Sequence, residues 1–514
     1  GDAYTSALRK VYEGRVPGGA DLVCYWFEKA RTAIETQGLG AAGLVATQAV
    51  RAGANRAVLA AICETTKIFD AWNDEAWVND GAAVRVSLVC FGHAAQSPLL
   101  NGVEVPRIPA DLSASADGLD LTTAVPLSAN RDAAFQGPVK VGAFDIPGST
   151  ARAWLALPNV NGKSNAQVLR PWANGQDIAK RRSDTWIIDF GASMPQGDAA
   201  LFEAPFLHAR LHIKPQRDAQ NDANRKRHWW IHGRTGDDYR KASASLPRYC
   251  ATPRVAKHRY FVWLPTQVWP DSRLYAITRA DDTTFGILSS RIHEVWSLAQ
   301  ASIHGDGNDG GRPTYNARSC FETFPFPAGL TPADTAHQRT EVLPGGAVVP
   351  ALDFEQNTPS APASRSKFAT VNIANNTPPA TPPTSPPALR AHAVAIAVAA
   401  RRLNELREAW LNPPEWTERV PEVVPLGLAA SPYPDRIVAK PGHEKDLAAR
   451  TLTQLYNARP AWLAAAHQAL DAAVAAAYGW ADCTAETPDD EILRRLLALN
   501  LARSGGSGSD VPAK

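Results

Sequence analysis

The sequence predicts an α/β unit first, then an α+β module, then a helix-rich C-terminal region. Three observations carry that expectation. Over residues 1–95, helical periodicity alternates with short apolar runs, the grammar of a mainly parallel, covered sheet. From about 150 to 330, short β-like segments alternate with basic and aromatic stretches, and beyond residue 387 come long alanine- and leucine-rich amphipathic stretches. At 514 residues the chain also exceeds the roughly 250–300 at which a single core stops growing, so two or three domains are expected.

Taken in order, Leu22, Tyr25, Trp26 and Ala30 recur at helical spacing after the capping candidate Asp21, and "GLGAAGLVAT" turns into a continuous apolar strand. A second helix, "NRAVLAAICET", leads to "IFDAW", and "AAVRVSLVCFG" alternates like a strand near a sheet edge. Residues 96–150 are loop-rich with short strands such as "PVKVGAFDI". In the middle module "TWIIDFG", "HRYFVWLP" and "FGILSS" read as β-like. The stretch "ALDFEQNTPSAPASRSKFATVNIANNTPPATPPTSPP" is too poor in apolar residues to order itself and reads as a disordered insertion. Helices are expected in "ALRAHAVAIAVAARRLNELREAWL", in "HEKDLAARTLTQLYNARPAWLAAAHQALDAAVAAAYGW" and in "DDEILRRLLALNLARS", before a flexible tail.

The composition, 45% hydrophobic and 20% charged, is that of a globular protein. No apolar run approaches the roughly 20 residues of a membrane span, and the N-terminus lacks a signal-peptide layout, so no membrane partner and a cytoplasmic location are expected. The six cysteines are scattered without zinc-type spacing, which favours reduced thiols and no metal. Met194 is the only methionine, so Gly1 is not read as a native start, and truncation is the expected reason. A net charge of +2 decides nothing about nucleic acid by itself; the distribution matters more.

That distribution is uneven. "KPQRDAQNDANRKRHWWIHGRTGDDYRK" and "PRYCATPRVAKHRYFVW" carry far more arginine and lysine than acid, with aromatics interleaved. Such cations neutralise phosphates, and Arg, Asn and Gln read base edges. A solvated basic face beside core tryptophans is the plainer alternative. Trp229 and Trp230, adjacent to Arg225, Lys226 and Arg227, favour nucleic acid, because paired tryptophans on a charged loop need something to cover them. A P-loop lysine motif, G-x-S-x-G, H-E-x-x-H and a Gly-rich dinucleotide loop are all absent from the sequence. "GDGNDGG" lacks the spaced carboxylates of a calcium loop and reads as a turn, while His258 and His293 read as polar contacts or satisfied core residues.

The blocks "ADLVCYWFEKA", "AGLVATQAV", "AWNDEAWVNDGAAVRVSLVCF", "LRPWANGQDI", "WIIDFG", "FGILSSRIHEVWSL", "CFETFPFP", "NPPEWTERVPEVVPLG" and "LYNARPAWL", in this order, resemble the gamma-class (N-P-P-Y type) adenine-N6 DNA methyltransferases of large type IIG/IIL-like restriction-modification and phage-defence systems. The resemblance covers nearly the whole chain outside the proline-rich insertion and the tail. It implies that 1–149 is the C-terminal half of an S-adenosylmethionine-dependent methyltransferase domain with a partial Rossmann-like sheet, 150–330 a target-recognition domain, 331–386 a linker, 387–503 a helical domain and 504–514 a tail. In the family the cofactor glycine motif and the N-P-P-Y/F tetrapeptide precede the "ADLV…FEKA" helix, so the chain is expected to begin between them. Its only N-P-P, Asn412-Pro413-Pro414, is followed by Glu415 and is not taken as catalytic.

By resemblance, Trp26 matches an aromatic packing on the cofactor adenine, Thr47 and Gln48 a loop bordering the active site, and Trp77 the aromatic that stacks on an extruded adenine. For both tryptophans a core position is the plainer alternative. The candidate DNA contacts are Arg225, Lys226, Arg227, Trp229, Trp230, Arg234, Arg240, Lys257, His258 and Arg259. The function implied is methyl transfer to adenine in double-stranded DNA, with an N-terminal methyltransferase or nuclease portion, or a separate chain, as partner. A stand-alone DNA-binding specificity subunit is the alternative, and an RNA-binding protein a further one.

Overall fold

The computed structural model describes residues 2–51, 53–79, 82–112, 119–158, 161–304, 312–351 and 386–504. The proline-rich insertion, the "GDGNDGG" turn and the tail from residue 505 lie outside these. Among the described residues no helix is long and apolar enough to cross a membrane.

The first unit packs helices α1 (Asp2–Val11), α2 (Val23–Thr36) and α3 (Arg56–Thr65) with strands β1 (Ala41–Thr47), β2 (Lys67–Asn79), β3 (Ala82–Gly92), β4 (Leu99–Leu100) and β5 (Val103–Glu104), in sheet order β1-β3-β2-β4-β5. The expected mainly parallel sheet is corrected: β3 runs antiparallel to both neighbours, and only β2 and β4 pair in parallel, over two residues. The reason is covalent. Asn79 pairs with Ala82, so only two positions separate β2 from β3, and a parallel crossover needs a dozen or more. β3 lies one strand in from the edge strand β1, as its alternation suggests. The Rossmann-like reading therefore rests on β1 and β2, which run parallel to each other with β3 inserted between them.

Two local expectations change as well. The buried stripe of α2 is Cys24, Tyr25, Phe27, Glu28 and Ile34, while Leu22 and Trp26 face outward. Asp21 does not cap the helix; its carboxylate accepts from Asn55 Nδ2 at 2.7 Å, tying the start of α2 to that of α3. Phe27 stacks on Phe91 at 6.0 Å in a core running from Val16 to Leu112.

From Leu121 to Leu497 a second core is continuous. It holds β6 (Ala134–Gln136), β7 (Asp145–Pro147), β8 (Leu169–Ala173), β9 (Thr185–Ile188), β10 (Arg248–Pro253), β11 (Val262–Pro265), β12 (Trp269–Pro270) and β13 (Leu274–Ile277). These form two four-stranded sheets, β11-β10-β13-β6 and β12-β8-β9-β7. Strands β6 and β7, which fall before the expected boundary at 149/150, thus pair with strands after it. "FGILSS" is not a strand: it lies in the helix Asp282–Ser289, opened by Asp281, whose carboxylate accepts from Thr284 N at 2.6 Å. That helix is buried from Asp282 to Leu288 because Pro386–Leu411 and Ala461–Ala477 pack over it, so no amphipathic period revealed it.

The C-terminal region, expected to be helical throughout, is helical apart from an antiparallel strand pair, Thr417–Val420 with Arg436–Ala439. The stretch beginning "HEKDL" forms three helices, Glu444–Ala449, Leu452–Ala458 and Ala461–Ala477. Thr451 caps the second, left-handed Arg459 (φ 40°) ends it, and Pro460 opens the third.

Candidate nucleic-acid interface and sheet rim

At one end of the first sheet, Thr47 pairs with Val86 and Val86 with Glu75. Trp77, two residues past Glu75, therefore stands on the same face at the same end. Its ring is 43% exposed and that of Trp26 62%, so neither is a core aromatic. The Lys29 ammonium lies 5.4 Å over the Trp26 ring. Thr47 is exposed, whereas Gln48 is buried at the start of a 3-10 turn, its Oε1 accepting from Arg51 at 3.4 Å. Among the described residues no ring contact joins Trp26 or Trp77 to another aromatic. Trp72, 40% exposed on the same strand as Trp77, was not singled out from the sequence.

The middle module corrects the expectation of exposed paired tryptophans. Trp229 and Trp230 are 4% and 6% exposed. Trp229 packs on Phe206 at 5.2 Å, and the Trp230 indole N–H donates to Met194 O at 2.8 Å. They anchor the short helix Ala223–Arg227, capped by Asp222, on which Lys226 and Arg227 are exposed. Arg225 is half-buried and paired with Asp222 at 3.1 Å.

Three more candidates are occupied inside the protein. Arg240 clasps Asp189 with two hydrogen bonds, at 3.0 and 2.7 Å, and lies 4.2 Å over the Trp269 ring. Burial pushes the Asp189 carboxyl up, but His232, Arg240 and Arg170 outweigh it and hold it below its ordinary value. Arg259 is 5% exposed, donating to Thr252 Oγ1 at 2.8 Å and to Pro253 O beside the Tyr315 ring, and burial lowers its pKa. His258 Nε2 meets Asn457 Oδ1 at 2.8 Å, within the helix Leu452–Ala458. Arg234 and Lys257 remain exposed.

Sequence reasoning missed the groups behind this surface. Arg225, Arg227 and Arg234 share a cleft of about 790 Å³ with Arg217, His228 and His232. Burial keeps the His232 imidazole below its usual pKa. His293, by contrast, is a satisfied core residue: Nδ1 meets Leu288 O, Nε2 faces the Tyr315 hydroxyl, and burial pushes its pKa down to about 3. Asn412 is engaged on both sides of its amide, donating to Glu408 Oε2 and accepting from Arg181 Nη2, each at 2.9 Å. Among the described residues no three carboxylate, His or Cys groups gather as a metal site.

No family model and no curated protein sequence matches the chain. Among solved structures it is similar to a type IIL restriction-modification enzyme, MmeI, solved in complex with DNA. The TM-score is 0.64 at 16% sequence identity, over 98% of this chain and 55% of that one. The two share a fold, and this chain spans about half the length of its neighbour.

Proposed function

We propose that this chain is the base-stacking and target-recognition portion of a DNA methyltransferase of restriction-modification type, acting on adenine N6. The observation that carries the reading is the fold shared, along nearly the whole chain, with a restriction-modification enzyme solved on DNA. Two features of the chain's own chemistry support it. Exposed Trp77 and Thr47 stand together at one end of the first sheet, and the exposed cations Lys226, Arg227, Arg234 and Lys257 carry no ion pair among the described residues.

In this reading Trp77 offers a π-face to an adenine extruded from the duplex, since N6 cannot be reached inside the stack. For S-adenosylmethionine, Trp26 would offer its exposed ring, one face of which carries the Lys29 ammonium, and exposed Thr47 and buried Gln48 would border the site at the rim. S-adenosylmethionine, when bound, supplies a methyl group carried on a sulfonium. Activation of the N6 amino group needs acceptors that an N-P-P-Y/F loop provides. The one N-P-P run present has its asparagine amide engaged by Glu408 and Arg181, so the purified chain is expected to bind DNA without methylating it. The same observation favours a second reading, a specificity subunit whose catalytic partner is another chain.

The test is a salt-titrated binding assay on mixed-sequence duplex DNA. With four unpaired cations engaged, log K should fall against log salt with a slope of about −3 to −4. Absence of binding at low salt, or a preference for single-stranded RNA over the duplex, overturns the reading. Methyl transfer by the chain alone refutes the expectation of an inactive portion.

A further inference from the structure

The cleft of about 790 Å³ in the middle module lies between the loop 192–196 and the segment 224–235, and its charge is one-sided. Arg217, Arg225, Arg227 and Arg234 line it with His228 and His232, and no carboxylate lines it. Asp222 pairs at 3.1 Å with Arg225, itself one of the lining guanidiniums, and Asp189 pairs with Arg240 at 2.7 Å.

The back of the cleft is built from buried groups. Arg217 is 1% exposed; its Nη2 donates to the carbonyls of Lys140 and Ile231, and its Nε has no partner. Burial and the neighbouring Arg225 lower its pKa, with Asp222 acting in the opposite direction. His232, 6% exposed, meets Ile188 O through Nε2 and leaves Nδ1 without a partner. Buried polar groups of this kind are ordinarily satisfied, so two at the back of one cationic cleft point to a ligand.

Some of the polar groups of the cleft are spent inside the protein. The Trp230 indole N–H is spent on Met194 O, and Asn224 Oδ1 meets His228 Nδ1 at 3.0 Å. Exposed Gln196 and the exposed guanidiniums of Arg227 and Arg234 remain, and the forked donors of guanidinium match phosphate oxygens. The volume admits a nucleotide-sized group.

We propose that this cleft binds a phosphodiester of a nucleic-acid strand and so fixes the register of the bound DNA without reading its sequence. The proposal rests on the DNA-recognition reading above and assigns one part of that surface. A phosphate carried by a free small molecule would satisfy the same chemistry, and the experiment separates the two sources.

The test compares the wild type with the double variant Arg227→Ala/Arg234→Ala, both changed residues being exposed, and with Arg402→Ala on the C-terminal helix as a control. Thermal melting establishes that all three are folded. Binding is measured on two unrelated duplexes across a salt series, and inorganic phosphate is titrated calorimetrically. The expected result is an equal loss of affinity on both duplexes and a salt slope smaller by about 2 in the double variant, with the control unchanged. Loss on one duplex only would mean that the cleft reads bases, and overturns the proposal. An unchanged slope overturns it too; if phosphate then binds the wild type and not the variant, the cleft serves a free phosphate ligand. If the wild type binds no DNA, the recognition reading itself fails. The phosphate titration then decides whether the cleft is an anion site of another kind or no site at all.

Discussion

Replacing Trp230 by alanine separates two roles that the sequence runs together. The indole is 6% exposed and donates its N–H to Met194 O at 2.8 Å. Burying a tryptophan removes roughly 200–250 Å² from water, which at about 25 cal/mol per Å² is an upper bound of some 5–6 kcal/mol. Truncations of this kind cost about 3–5 kcal/mol once the site relaxes, and the lost indole hydrogen bond adds about 1 kcal/mol. Against a total stability of roughly 5–15 kcal/mol, that is enough to loosen the middle module at room temperature. Urea unfolding followed by tryptophan fluorescence should shift its midpoint down by about 1.3–3 M for a slope of roughly 2–3 kcal/mol per M. DNA binding should fall in proportion to the folded fraction. By contrast, Arg227→Ala should leave the midpoint within about 0.5 kcal/mol of wild type and still weaken binding. A Trp230→Ala protein that unfolds like the wild type yet loses DNA binding would refute the reasoning, because the indole would then be acting as an open contact.

Asp189→Asn removes the buried carboxylate clasped by Arg240 and faced by Arg170 and His232, and should cost about 3 kcal/mol in urea unfolding at pH 7. Since the folded pKa of Asp189 lies below its unfolded value of about 3.9, its contribution is fully present above that value and is lost as pH falls through the folded one. The wild-type advantage over Asp189→Asn should therefore hold at pH 5–7 and shrink below about pH 4. Trp77→Ala, at a 43% exposed position, should change stability by under about 1 kcal/mol. In the assembled methyltransferase it should raise the dissociation constant for DNA carrying an extrahelical 2-aminopurine by roughly 5- to 100-fold, as loss of one stacking face implies. Gly286→Ala places a Cβ 2.6 Å from Ile396 Cγ2 and 2.9 Å from Ala400 Cβ, where two buried helices meet; about 1–3 kcal/mol of destabilisation is expected in a thermal melt.

How much was legible in the sequence depended on whether a local signal matched its tertiary setting. The helices α2 and α3, strand β1 and the long C-terminal helices were legible because hydrophobic periodicity acts within a few residues. The direction of β3 was also written locally, in Asp80-Gly81 between two alternating runs, a hairpin signal that the expectation of a parallel sheet overrode. The face of α2 was not legible. Leu22, Tyr25, Trp26 and Ala30 and the true stripe through Cys24, Phe27 and Glu28 both keep helical spacing, and only packing against β3 through Phe91 selects the second. "FGILSS" failed for a similar reason: an eight-residue helix buried on every side has no polar face to reveal its period.

The candidate interface was legible as a region and not as a set of side chains, because a one-dimensional count of cations does not distinguish charges spent on the fold from charges left for a ligand. Arg240 is spent on Asp189, Arg248 on Asp282 at 2.8 Å and on the Trp263 ring at 3.8 Å, and Arg259 on backbone oxygens beside Tyr315. Each lies over an aromatic ring, so the interleaving of basic and aromatic residues that suggests base stacking is here partly the signature of internal cation–π packing. Trp229 and Trp230 belong to that interior, and their burial is what projects Lys226 and Arg227 outward from the adjoining turn of helix. The paired tryptophans thus bear on the proposed interface only indirectly: they position exposed charges without forming an open surface themselves.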